Sequence, residues 1–202
     1  GIEDMEKIRQ DSTVIETNIH YPTNNSLVWD CIRESHRLFE YLQKEMKDID
    51  YRDYTKTGKK TFYKINNTKS GEKRIELFRQ QLITFTKCIN QVSNAIKKKG
   101  SCSIKGLVIL ELLEKHLPVM QQIYEMTEKR ELKNEVVAND KKLFSIYEQH
   151  TNIIVKGSRD VLFGHKINLS TGKSNLILGY PQVTYSKNHI NQAISYISIS
   201  NW

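Results

Sequence analysis

Between Glu72 and Lys99 the apolar residues Ile75, Phe78, Leu82, Phe85, Ile89, Val92 and Ile96 recur in alternating steps of 3 and 4. A repeat averaging about 3.5 residues is satisfied only by a facing helix, so the stretch predicts one arm of a coiled coil or antiparallel helical hairpin. The facing arm is expected in the next helix, about Ile104 to Val137, carrying Ile104, Leu107, Val108, Leu112, Leu113, Leu117, Met120, Ile123 and Tyr124. Lys97-Lys98-Lys99-Gly100-Ser101 separates the arms, placing cations at the negative end of the first helix and a glycine stop after it. Pro118 removes one backbone donor from the second arm and predicts a kink.

Upstream, Leu27, Val28, Cys31, Ile32, Leu38, Phe39, Leu42 and Met46 gather on one face at 3.6-residue spacing, predicting a helix from about Ser26 to Lys47 with Asn25 or Ser26 as its cap. The segment Tyr51 to Arg74 reads as a connection. It holds Lys56, Lys59, Lys60, Lys64, Lys69, Lys73 and Arg74, interleaved with Tyr51, Tyr54, Phe62 and Tyr63. Cations and aromatics together suit phosphates and bases; a solvated loop with locally packed aromatics explains them equally well. A short helical run through Leu143, Phe144 and Tyr147 is expected to close the helical region.

The two ends have a different texture. Ile8 to Ile19 is rich in β-branched residues and is ended by Pro22, which reads as a strand. After His150 the pattern is again extended, with strands expected at Ile153–Val155, Val161–Leu169 and Asn175–Leu178, the last two joined by Ser170-Thr171-Gly172-Lys173.

Composition sets outer limits. The chain has 202 residues and a net charge of +8, which favours a polyanionic partner because each cation that neutralises a phosphate releases a counterion. No apolar run approaches the roughly 18 residues that a membrane helix needs, and no signal-like segment opens the chain, so the expectation is a cytoplasmic protein without a membrane partner. Cys31, Cys88 and Cys102 are odd in number and not paired as CxxC, the pattern of structural thiols rather than of a disulfide framework or zinc site.

Two segments carry more specific content: Asp11-Ser12-Thr13-Val14-Ile15-Glu16-Thr17-Asn18-Ile19-His20-Tyr21-Pro22-Thr23, and, about 130 residues later, His150-Thr151-Asn152-Ile153-Ile154-Val155-Lys156-Gly157 followed by Val161-Leu162-Phe163-Gly164-His165-Lys166-Ile167. In order and content the pair resembles the catalytic domain of bacterial insertion-sequence transposases of the DDE class, in the branch with a long helical insertion after the first catalytic strand. The resemblance implies a mixed α/β fold: a partial RNase H-like sheet interrupted by a mainly α-helical insertion. The expected division is 1–25 for the first strand, 26–148 for the insertion, 149–185 for the following strands and 186–202 for a divergent tail.

The resemblance also implies a chemistry. Such enzymes cleave DNA and transfer strands by in-line phosphoryl transfer at Mg²⁺ ions held by three carboxylates. Asp11 matches the first of these, as catalytic residue and metal ligand. Lys156, Arg159, His165 and Lys166 are the expected DNA-binding residues, because the Gly-His-Lys strand of the family lies beside the first strand. Glu16, five positions from Asp11, falls on the opposite strand face, and His20 suits a hydrogen-bonded structural role better than Mg²⁺.

The departures are equally specific. After Asp160 there is no Asp or Glu through Trp202, and the expected Gly-Asn-Pro-x-Asp-like continuation is replaced by Gly179-Tyr180-Pro181-Gln182-Val183-Thr184-Tyr185. The usual Thr-Asp after Pro22 is Thr23-Asn24. The chain therefore reads as an internal piece or degraded copy of a transposase, inactive alone, whose first strand offers an open edge for self-association unless the tail covers it. Two other readings stand beside it: a non-catalytic nucleic-acid-binding helical protein, and a helical module that dimerises through the Ile75–Ile96 seam.

Overall fold

The computed structural model describes residues 8–98, 102–156, 160–173 and 177–179. The fold is mixed α/β, with four α-helices and a small antiparallel sheet among the described residues. It divides into two compact units: residues 21–147, and the two chain ends, 1–20 with 148–202.

The 21–147 unit is helical. Helix α1 (Asn24–Glu45) buries all eight of the apolar residues expected on its face or just past its end, from Leu27 to Met46. Its cap is Thr23 rather than Asn25 or Ser26: the Thr23 hydroxyl accepts the Ser26 amide and the Ser26 hydroxyl accepts the Thr23 amide, both at 3.0 Å. This reciprocal box frees Asn24 and Asn25 to point inward. Asn25 donates to the Phe62 carbonyl and to Asn66 Oδ1, and accepts from Gln81 Nε2 at 2.6 Å. Asn24 donates to Glu131 Oε1 at 2.6 Å, a bond an aspartate could not make.

Helix α2 (Thr55–Asn66) lies within the stretch expected to be a connection. Its buried face is Gly58, Thr61 and Ile65, so the apolar signal is one isoleucine and tertiary packing completes it. A Cβ on Gly58 would meet the Trp29 and Ile32 side chains at 3.2 Å, which is how closely α2 approaches α1. Arg74 caps its far end, donating to the Ile65 and Thr68 carbonyls at 2.7 and 2.9 Å.

Helix α3 (Glu72–Ile96) carries the 3,4 seam, with Phe78, Leu82, Phe85 and Val92 buried and Ile75, Ile89 and Ile96 half-buried. It also buries Leu77, Gln81, Thr84, Cys88 and Ala95 beside the seam. The stripe is wider than a two-helix interface requires because α3 packs against α1 and α2 as well as α4.

Helix α4 (Ile104–Thr127) begins at Ser103, whose hydroxyl accepts the Gly106 amide, and runs on through Pro118. It ends ten residues before the expected Val137, in a wide π turn over Glu128–Leu132 closed by Asn134 at φ 53°. The buried face also differs from expectation. Leu110, Leu113, His116, Met120, Ile123 and Met126 face inward, while Ile104, Val108 and Leu112 are exposed. Apolar residues surround the first turns of this helix, so periodicity does not choose a face there. The short helix expected through Leu143, Phe144 and Tyr147 is absent; Leu143 and Ile146 are buried from irregular backbone. Cys31, Cys88 and Cys102 are not joined in disulfides, and the first two are buried.

The other unit is a sheet of β1 (Arg9–Glu16), β2 (Asn152–Lys156), β3 (Asp160–Thr171) and β4 (Ile177–Gly179). The order is β1-β3-β2, with β4 also paired to β3, and all pairs are antiparallel. Among the described residues β1 therefore has one neighbour. The expected turn at Ser170-Thr171-Gly172-Lys173 begins two residues late, since β3 continues through Thr171. Asn175 and the tail 186–202 lie outside the described residues. No described helix is long and apolar enough to cross a membrane.

Candidate functional site on the β1 and β3 strands

The strand bearing Asp11 and the strand bearing His165 and Lys166 are hydrogen-bonded neighbours. Register runs from Arg9 opposite Thr171 to Glu16 opposite Gly164, placing Asp11 against Leu169, Val14 against Lys166 and Ile15 against His165. Gly164 is the residue that lets β1 come this close. A Cβ there would lie 2.0 Å from the Ile15 carbonyl oxygen and 2.8 Å from the Glu16 Cα, so every side chain is excluded. Past the ladder, the Thr17 amide and hydroxyl both donate to the Phe163 carbonyl, and Thr151 donates to Thr17 Oγ1 at 3.2 Å. The Gly-His-Lys motif is thus partly a packing motif.

Alternation sorts the site residues by face. Directly paired residues share a face, so Asp11 lies with Leu169, Ile167 and His165, and Lys166 lies on the opposite face with Val14. Glu16 is also opposite Asp11, as expected. Along the shared face, His165 sits four register positions from Asp11, on the order of 13 Å. The pairing therefore brings the strands together without bringing Asp11 into contact with His165 or Lys166.

His165 is held by other groups. Its ring stacks on His150 with centroids 4.8 Å apart and planes 15° apart, and its Nε2 is buried without a hydrogen-bond partner among the described residues. His150 in turn lies 3.2 Å from Glu148. Lys166 is half-buried and Lys156 pairs in register with Asp160. Arg159 lies outside the described residues.

Asp11 is exposed, and its Oδ1 accepts the Ser12 amide at 2.8 Å. Magnesium demands near-octahedral oxygen ligation, usually with more than one protein carboxylate at a two-metal centre. Among the described residues no three His, Cys, Asp or Glu side chains are grouped to hold a metal ion. The donor set around Asp11 does not by itself fit the implied Mg²⁺.

The basic, aromatic segment takes a form that sequence reasoning missed. Three of its aromatics pack locally: Tyr51 stacks on Phe39 at 4.5 Å and bonds His36, Tyr54 joins the edge of the core, and Phe62 stacks on Trp29. Burial, with the nearby Asp53 charge next, pushes the Tyr51 phenol well above its ordinary value, so it stays neutral. Tyr63 remains exposed, and so do Lys56, Lys59, Lys60 and Lys64. Comparisons with protein-family models, with curated proteins and with solved structures returned no match.

Proposed function

We propose that this chain is part of the catalytic domain of a DDE transposase, contributing the first metal-ligating carboxylate, Asp11, and a DNA-facing sheet with Lys156, Arg159, His165 and Lys166. One observation carries the reading. Strands from opposite ends of the chain pair in register across a helical unit of 127 residues, Tyr21 to Tyr147, as the family's inserted topology requires. The close approach at Gly164 gives the motif's glycine a physical reason, and the charge of +8 suits a DNA partner. An RNase H-like core is the fold this reading implies for the sheet. Lys166 lies on the sheet face away from Asp11, so on this reading any phosphate it meets is not one bound at the carboxylate.

Asp11 is the one carboxylate that matches the family's catalytic set, so on this reading the chain alone neither cuts nor joins DNA. Duplex binding measured by fluorescence anisotropy should fall steeply between about 50 and 200 mM salt, with no Mg²⁺-dependent nicking. A protein extended through the coding sequence on the 3′ side should supply the missing carboxylates and nick DNA, and Asp11→Asn should abolish that nicking. Nicking that survives Asp11→Asn, or a downstream sequence without such carboxylates in any frame, overturns the proposal.

A further inference from the structure

Helix α2 has two unlike faces. Gly58, Thr61 and Ile65 face the core, while Lys56, Lys60 and Lys64 form an exposed row at four-residue spacing, about 6 Å per step along the axis. No acidic residue occurs between Thr55 and Asn66 to offset them. Lys60, Tyr63 and Lys64 continue into an open groove completed by Asn67 and Thr68 past the end of α2 and by Lys73 and Leu77 from the start of α3. Arg74, by contrast, is consumed in capping α2 and lies over the Phe78 ring at 5.4 Å.

Tyr63 supplies a second kind of contact. It is 53% exposed, and the edge-to-face contact with Phe62, at 5.4 Å and 70°, steadies its ring while Phe62 itself is anchored on Trp29. A half-exposed aromatic beside lysines that no acidic residue of α2 offsets has the elements of a single-strand site: cations that track a phosphate backbone and a ring on which a base stacks. A duplex would satisfy the lysines but keeps its bases stacked inside, leaving Tyr63 without a partner.

We infer that the α2–α3 groove of Lys60, Tyr63, Lys64 and Lys73 binds a single-stranded stretch of DNA, with phosphates along the lysine row and one base on Tyr63. The site lies within the 21–147 unit. It rests on the transposase reading only in taking DNA as the polyanion.

The test compares a fluorescein-labelled 16-nucleotide single strand with the matching duplex, using the full chain and anisotropy at several salt concentrations. Tyr63→Ala should weaken single-strand binding by about fivefold to a hundredfold and leave duplex binding within about twofold. The combined charge reversal Lys60→Glu, Lys64→Glu and Lys73→Glu should weaken single-strand binding at least tenfold and lower the salt slope by about two. Lys115→Glu, on exposed α4 surface, serves as the control, and helical circular dichroism confirms that each variant is folded. Lys60→Gln with Lys64→Gln gives a milder second pair. Unchanged single-strand binding in the Tyr63 and lysine variants, equal losses in the Lys115 control, or failure of the unaltered chain to bind the single strand overturns the inference. Nicking by the extended protein that survives Asp11→Asn, with the groove variants behaving as stated, would instead sink the transposase reading alone.

Discussion

The helical unit and the sheet bury their apolar residues to very different extents. In the helical unit Phe39, Phe78, Phe85, Leu110, Leu113 and Ile123 are essentially inaccessible and belong to clusters spanning several helices. In the sheet the described β-branched residues of the strands are half-buried or exposed, with Ile15 at 54% and Val155 at 63% exposure. The helices are thus held mainly by removal of apolar surface from water, whereas the described strands are held mainly by backbone hydrogen bonds and by the close approach at Gly164. Such bonds contribute only about 1 kcal/mol each net. An element with little apolar burial opens at lower free energy than a packed core.

Three perturbations test that difference, beginning with the largest effect. Phe85→Ala removes a fully buried ring from α3 and should lower the stability of the helical unit by about 3–5 kcal/mol, read from urea unfolding of the helical dichroism. An effect under about 1 kcal/mol would show that the core is not what holds these helices. Gly164→Val forces a side chain against the β1 backbone, and overpacking of this kind costs about 1–3 kcal/mol. Hydrogen exchange should then show lost protection at Thr13 to Thr17, with the helical urea midpoint nearly unmoved; an equal shift in both would merge the two units into one cooperative structure.

The smallest effect is a pH dependence confined to the helical unit. Burial lowers the His116 imidazole below its ordinary value, opposed by its hydrogen bond to the Cys31 backbone and by the Glu34 charge. Below about pH 6.5 the unfolded state therefore takes up the proton first, so stability present at neutral pH is lost as pH falls from the unfolded value through the folded one. Glu34, lowered chiefly by its hydrogen bond from Arg37, adds a further loss in the carboxylate range. His116→Gln should flatten the stability profile between pH 7 and 5. A profile as steep as that of the unaltered chain would assign the acid sensitivity elsewhere.

Both α1 and α3 were legible because their apolar residues follow one period without competition from other faces. α2 was not, since a helix whose inward face is Gly58, Thr61 and Ile65 presents almost no amphipathic signal until α1 covers it. On α4 the signal was excessive: Leu107, Val108, Ile109, Leu110, Leu112 and Leu113 offer several faces, and neighbouring helices select Leu110 and Leu113. The candidate site was legible as two strand-forming segments, but the separation of Asp11 from Lys166 was not. Whether two residues on paired strands share a face depends on register, and a shift of one residue reverses it.

The amino-acid sequence by itself determined the division into β-rich ends and a helical middle, the faces of α1 and α3, and the surplus of positive charge, because these follow from local spacing and composition. Tertiary structure decided the helical state of α2, the inward face of α4, the inward-turned amides of Asn24 and Asn25, and the register that sets Asp11 opposite Leu169. Each depends on groups far apart in the chain: Trp29 against Gly58, Asn25 against Gln81, Ile15 against Gly164. Short-range periodicity carries no record of such partners, since their energies exist only after the chain has brought them together.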